Sequence, residues 1–129
     1  MFADWRRAVS ALAKCPNVVA KLGGIHMPIN GFGWHKQAVP PGSAELAAAT
    51  ARYHLHTIEA FGVQRCMFES NFPVDRQSCS YAVLWNSFKR IVADFSAADK
   101  AALFHDTAAR VYRLDSPAGG AGMKPQVSP

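Results

Sequence analysis

The sequence has few cysteines and no long apolar run. Its 129 residues include 3 cysteines, Cys15, Cys66 and Cys79, none of them in a CxxC spacing. Such a set cannot form the disulfide framework of a small secreted domain, so we expect a reducing compartment and a cytoplasmic protein. No apolar stretch is long enough for a signal peptide or a membrane span, so we expect no membrane partner.

Clustered charge and phosphate-binding motifs are absent as well. The formal net charge is +5 and the pI is about 9.4, yet no run of five like charges occurs. Nucleic-acid binding needs clustered cations, and here they are dispersed, so we expect no nucleic-acid partner. Neither GxGxxG nor GxxxxGK[ST] occurs, and the Gly23-Gly24 pair is therefore not a nucleotide-binding motif.

Apolar periodicity predicts helices that alternate with strands, which is typical of an α/β protein with parallel strands. Two parallel strands are too few for a stable sheet, so the chain either pairs with a partner or belongs to a larger sheet. Residues 1–115 form the predicted domain, and the Gly/Pro/Ser-rich tail 116–129 is predicted to be disordered. The predicted helices are 2–14, 43–61, 81–94, 96–104 and 107–114, and the predicted strands are 17–22 and 65–70.

Three motifs occur in order along the chain: NVVAKLGG at 17–24, RCMFESNFPVD at 65–75 and TAARVYRL at 107–114. Together they resemble the C-terminal part of the amidohydrolase-related family, metal-dependent hydrolases with the TIM-barrel fold that include lactonases and decarboxylases. In that family a PNV..KLSG-type segment is the seventh barrel strand and an R.M.GSD.P segment the eighth. The domain closes on a helix that ends like NAARLYGL.

The resemblance implies both a fold and an activity. The fold is a partial (β/α)8 TIM barrel, the last two βα units plus the C-terminal helices, because a complete barrel needs roughly 250 residues. The activity is hydrolysis or decarboxylation of a small carboxylate or lactone, bound as substrate by the full-length protein. The family's first-strand His-x-His pair has no counterpart here, so we expect the chain alone to be inactive. The alternative is a non-enzymatic half-barrel, a subunit or binding module that self-associates through its strand edges.

Asn71 stands where the family motif has an aspartate that ligates metal or acts as a base. Family members often bind a divalent metal such as zinc, but an amide does not ionise and cannot serve as a general base. The cofactor is therefore left open by the resemblance, and Asn71 argues against a metal here. We expect Asn71 to contact the substrate as part of the catalytic site.

Glu69 is the candidate acid or base. Side chains alternate along a strand, so Met67, Glu69 and Asn71 are expected on one face, with Lys21 of the neighbouring strand beside them. A buried carboxylate is costly unless it is paired. Two interpretations stay open: a buried Lys21–Glu69 ion pair that holds the strands together, or a catalytic Glu69 that replaces the missing aspartate.

Three loop residues are candidates for substrate binding. His26 and Trp34 follow the first strand, on the side where TIM-barrel sites form, with an ordinary exposed loop histidine as the alternative for His26. Asp75 follows the second strand and either binds substrate or, as the favoured interpretation, caps a helix or makes a surface salt bridge. His54 and His56 spell H-x-H, but residues two apart on a helix point in different directions, so we interpret both as ordinary helix-face histidines.

Overall fold

The computed structural model describes residues 1–114, and the predicted order of helices and strands is confirmed there. The predicted tail 116–129 lies outside the described residues. Within residues 1–114, no helix has the length and apolarity that a membrane crossing requires. The elements are α1 (Phe2–Ala13), β1 (Ala20–Leu22), α2 (Ser43–Phe61), β2 (Cys66–Phe68), α3 (Tyr81–Ile91), α4 (Ala97–Ala101) and α5 (Thr107–Val111), with a π-helical turn (Ala102–Asp106) between α4 and α5.

Local chemistry explains several helix ends. The Ser80 hydroxyl accepts a hydrogen bond from the Val83 N–H at 3.3 Å, and the Ser96 hydroxyl accepts one from the Asp99 N–H at 3.1 Å. These bonds satisfy free backbone N–H groups at the starts of α3 and α4. Helix α2 ends at Gly62, whose φ of 81° is readily adopted only by glycine.

The two strands are adjacent and parallel. Ala20 lies opposite Cys66 and Leu22 opposite Phe68. Each strand has three residues, fewer than predicted. The second strand cannot extend over 65–70, because residue 65 ends a 3-10 turn and Asn71 has a left-handed φ of 52°.

The hydrophobic core lies between the strands and helices α2 and α3. The Phe68 and Phe88 rings stack with centroids 4.5 Å apart. Full burial of an aliphatic or aromatic side chain of this kind contributes about 1.5–3 kcal/mol. The residues with no solvent exposure include Leu46, Leu84, Phe88, Val92 and Leu103.

Arg65 ties three segments together at the amino ends of the strands. Its guanidinium donates hydrogen bonds to the carbonyl oxygens of Ala13 at 2.8 Å, Cys15 at 2.9 Å, Val18 at 3.2 Å and Phe61 at 3.0 Å. The same group lies over the Phe61 ring, 5.1 Å from its centroid. One side chain therefore holds the end of α1, the approach to β1 and the end of α2 in a fixed arrangement.

We expect Arg65→Lys to lower the free energy of unfolding by about 2–4 kcal/mol, because an ammonium group cannot reproduce the planar fork that reaches four carbonyls. Urea denaturation measures the change. Arg76→Lys, at an exposed position, is the matched control and should change stability by less than about 0.5 kcal/mol. Equal losses in the two variants would show that the Arg65 hydrogen bonds do not hold the segments together.

Candidate functional site

The loops after β1 and β2 bring the predicted site residues together, because the carboxyl ends of parallel strands meet at one edge of a sheet. Glu69 contacts Lys21, Asn71 contacts Asp75, and Asp75 lies beside His26. The ring of Trp34 lies next to His26, with centroids 5.6 Å apart. We call this set the rim: Lys21, His26, Trp34, Glu69, Asn71 and Asp75.

The predicted Lys21–Glu69 ion pair is present, but the prediction that it is buried is wrong. The Lys21 ammonium lies 2.6 Å from Glu69 Oε2, and the two side chains are 49% and 29% exposed. The hydrogen bond and the negative charge of Glu69 raise the pKa of Lys21. An exposed pair contributes only about 0–1 kcal/mol, so its clearest consequence is to orient Glu69.

Gly23 allows Glu69 to fold closely over the end of β1. A Cβ at this position would overlap Glu69 Cγ and would lie 2.7 Å from the Glu69 carbonyl oxygen. Any residue larger than glycine would therefore displace Glu69 or separate the strand ends. The sequence shows the glycine, whereas its close approach to Glu69 is apparent only in the folded structure.

Asn71 is held in a left-handed turn by Asp75. Its φ of 52° is a conformation that asparagine tolerates better than most residues. Asn71 Nδ2 donates to Asp75 Oδ1 at 2.8 Å, and the Asp75 N–H donates to the Asn71 carbonyl at 3.2 Å. Because β2 ends at Phe68, the alternation of side chains along a strand does not apply to Asn71. The expectation that Asn71 and Glu69 lie on one face of that strand is therefore not supported.

Asp75, His26 and His54 form a buried polar cluster. Asp75 is completely buried, and His26 and His54 are 1% and 3% exposed. Burial excludes a surface salt bridge, and within residues 1–114 the Asp75 side chain accepts a hydrogen bond only from Asn71 and caps no helix. The favoured interpretation of Asp75 is therefore wrong, and so is the alternative of an exposed loop position for His26. The predicted substrate contacts of these loop residues remain predictions.

The buried polar cluster is incompletely hydrogen-bonded within residues 1–114. His26 Nδ1 lies 3.6 Å from Asp75 Oδ2, which is beyond a hydrogen bond. Both ring nitrogens of His26, Nε2 of His54 and Oδ2 of Asp75 have no partner there. Unpaired buried polar groups cost about 1–3 kcal/mol each, so packing stability does not account for this arrangement.

Burial controls the protonation of the cluster. It lowers the pKa of His26 to about 4, and burial together with the charge of His26 lowers the pKa of His54 to about 3. Both rings are therefore neutral at pH 7. Burial also raises the pKa of the Asp75 carboxyl, while the hydrogen bond from Asn71 acts in the opposite direction.

His54 is a neighbour of the rim that was not among the predicted site residues; its ring centroid lies 6.4 Å from that of His26. Its separation from His56 is confirmed, since His56 lies 3.1 Å from the Ser10 hydroxyl while His54 faces the core. The burial of His54 is indicated in the sequence by a four-residue spacing on α2. This spacing places Leu46, Thr50, His54 and Ile58 on one buried face of the helix.

The described residues do not form a metal centre by themselves. Across residues 1–114, no group of three His, Cys, Asp or Glu side chains is placed to hold an ion. Asn71 offers a neutral amide at the position where the family motif has a carboxylate. No step proposed below depends on a metal.

The fold and rim define an α/β protein with polar loops at the carboxyl ends of its strands, and comparison with known proteins gives the family. A model of the amidohydrolase family matches residues 1–114, and the chain belongs to that family. It is 42% identical over 113 residues to the uncharacterized protein y4mH of Sinorhizobium fredii, covering 88% of this chain and 34% of that protein. It is 35% identical over 122 residues to the L-fucono-1,5-lactonase of Burkholderia multivorans, covering 90% and 37%.

Solved structures agree with this assignment. Two crystal structures of an amidohydrolase from Burkholderia multivorans, one with bound HEPES and one with bound zinc, superpose with a TM-score of 0.74 at 33% identity. They match 88% of this chain and 37% or 38% of their own lengths. The chain thus spans little more than a third of the relatives that it resembles.

The lowered pKa values predict how stability depends on pH. As pH falls below 6.5, a histidine is protonated in the unfolded chain but stays neutral while buried, so the free energy of unfolding falls. The decrease from pH 7 to 4.5 is about 2–3 kcal/mol for each of the two histidines. His54→Phe removes one such group and should flatten the acid limb of a plot of unfolding free energy against pH.

His105→Phe, at an exposed position, is the matched control and should keep the slope of the unsubstituted chain. The raised pKa of Asp75 acts in the opposite direction, but all three proteins share it, so their difference isolates His54. The same acid slope in the His54 and His105 variants would contradict the assignment of a neutral buried His54.

Proposed function

We propose that this chain is the C-terminal portion of a hydrolase that acts on a small lactone or a related carboxylate. In this proposal its two βα units are the last two of a (β/α)8 barrel, and the remaining units come from chain that precedes it. The observation that carries the proposal is the position of Glu69 and Asn71 directly after β2, at the carboxyl end of a strand that runs parallel to β1, where TIM-barrel active sites lie. The lactonase relative supports lactones as the substrate class.

Glu69 is the proposed acid or base of the site. Its carboxylate is partly exposed, and the ion pair with Lys21 orients it without covering it. A carboxylate in this position can accept a proton from an attacking water, or return one to the leaving oxygen, if the substrate lies within hydrogen-bond reach. Asn71 is proposed to hold the substrate, and His26, Trp34 and Asp75 form the wall behind it.

The isolated chain is proposed to have no turnover of its own. The rim supplies one candidate acid or base and one amide, while the remaining catalytic groups belong to the part of the barrel outside this chain. A cytoplasmic location and a small-molecule substrate belong to the same proposal.

The test is hydrolysis of L-fucono-1,5-lactone by the product of the complete reading frame that contains this segment. Glu69→Gln should lower kcat/KM by about 10²-fold or more, as expected for loss of a general acid or base. Asn71→Ala should lower it by about 10-fold, for loss of one substrate hydrogen bond. The 129-residue chain alone should show no turnover.

His105→Ala is the control, since the His105 side chain is exposed and contacts Asp106 rather than a rim residue. Activity unchanged by both rim substitutions would remove Glu69 and Asn71 from the site. Lactone turnover with stoichiometric zinc by the isolated chain would contradict the proposal that it is an incomplete part of the enzyme.

Self-association is the second candidate function. The described sheet has two strands, so each strand has one unpaired edge, and parallel edges of this kind favour association. Sedimentation that gives a defined dimer with a cooperative melt would support a half-barrel subunit. A monomer, or aggregation without a cooperative melt, would favour the incomplete enzyme.

A further inference from the structure

Asp75 is buried without the contacts that would make its burial favourable. Its side chain accepts one hydrogen bond, from Asn71, and its second oxygen has no partner within residues 1–114. A carboxylate in such surroundings is less favourable than an apolar side chain of similar size. Buried polar groups that lack hydrogen-bond partners are expected mainly at functional sites.

The geometry around Asp75 fixes one orientation of the Asn71 amide. The structure places the Asn71 NH2 group 2.8 Å from Asp75 Oδ1, where it donates a hydrogen bond. The ionised form of Asp75 can only accept hydrogen bonds and therefore favours this orientation. The backbone bond from Asp75 N–H to the Asn71 carbonyl closes the same turn. Gly24 also lies close to this amide, since a Cβ there would be in van der Waals contact with Asn71 Nδ2 at 3.5 Å.

The carbonyl oxygen of the Asn71 amide is left available. It makes no hydrogen bond within residues 1–114, and it is not among the buried polar atoms that lack a partner. Asn71 itself is partly exposed. The turn therefore presents the carbonyl oxygen of the amide as a hydrogen-bond acceptor on its open side.

We propose that Asp75 is a positioning residue that turns the carbonyl oxygen of Asn71 toward the ligand, so that the rim recognises a hydrogen-bond donor such as a substrate hydroxyl. The part that concerns the ligand rests on the proposed function, whereas the orientation of the amide does not. A polyhydroxylated lactone or acid fits this requirement, because its hydroxyl groups can donate to the Asn71 carbonyl oxygen.

The same geometry accounts for an amide, rather than a carboxylate, at position 71. An aspartate there would place a second carboxylate within hydrogen-bond distance of Asp75, with Glu69 nearby and His26 neutral. Two carboxylates that share a site cannot both ionise without cost. The buried Asp75 therefore favours a neutral donor as its partner.

The first experiment is NMR of the side-chain amides in the 15N-labelled 129-residue chain, with Asn71 assigned by the loss of its signals in Asn71→Asp. One Asn71 amide proton should resonate downfield and exchange slowly. In Asp75→Asn, which keeps the shape but removes the charge, that signal should move upfield and exchange about 10-fold faster, as loss of a charge-assisted bond predicts. The exposed Asn86 amide is the internal control. An Asn71 amide with ordinary shifts, unchanged in Asp75→Asn, would overturn the proposal.

The second experiment does not require Asp75→Asn to fold. Asn71→Asp should lower Tm by about 5 °C or more at pH 7, and the loss should shrink near pH 4, where one carboxyl is protonated. Asn86→Asp, an identical substitution at the exposed position, should leave Tm nearly unchanged. Equal Tm values for the two variants at pH 7 would contradict the contact with Asp75. A confirmed amide orientation together with unchanged lactone kinetics in Asn71→Ala would refute the ligand contact of Asn71 and leave the orientation standing. Absence of lactone turnover by the unsubstituted complete protein would refute the proposed function instead.

Discussion

The hydrogen bonds of Arg65 are the interaction on which the rest of this structure depends. Two three-residue strands cannot define a sheet by themselves, since isolated strand pairs are marginal in water. Arg65 links the C-terminal ends of α1 and α2 to the residues just before β1, so it fixes the position of the first strand beside the second. Its place at the amino ends of the strands separates this structural function from the loops at the opposite ends.

The strand alignment determines what the opposite ends can do. Because β1 and β2 run parallel in a fixed register, the Lys21 ammonium lies beside the Glu69 carboxylate. The loop after β2 packs against the loop after β1. The Ser78 hydroxyl donates to the His26 carbonyl at 2.6 Å and joins the two loops directly. The rim is thus assembled by backbone geometry first, and its polar side chains are fixed afterwards by pairing and burial.

Much of the fold could be predicted from sequence. Helix α2 has the predicted bounds because an alanine-rich run ends at a glycine, and Ser96 caps α4 as its spacing indicates. The strands were predicted too long because a β-branched run does not show where hydrogen-bonded overlap with a neighbour stops. The family was evident from three ordered motifs, each carrying a positional pattern of several residues.

The candidate site was less predictable than the fold. The pairing of Lys21 with Glu69 follows from strand geometry, but its exposure depends on which face the helices leave open. The burial of His26, Trp34 and Asp75 depends on two loops that meet only in three dimensions, and loops carry no periodic signal. His54 belongs to the same buried cluster but lies on α2, and none of the sequence motifs indicates that this helix packs beside the rim.

The proposed function requires that these two strands end at a ligand site completed by the rest of the protein. The most direct test is a crystal structure of the complete reading-frame product with L-fuconate, the hydrolysis product of L-fucono-1,5-lactone, bound. We expect the ligand at the carboxyl ends of β1 and β2, near Glu69 and with a hydroxyl donating to Asn71 Oδ1. A ligand bound elsewhere, or strands β1 and β2 outside a closed barrel, would contradict the account.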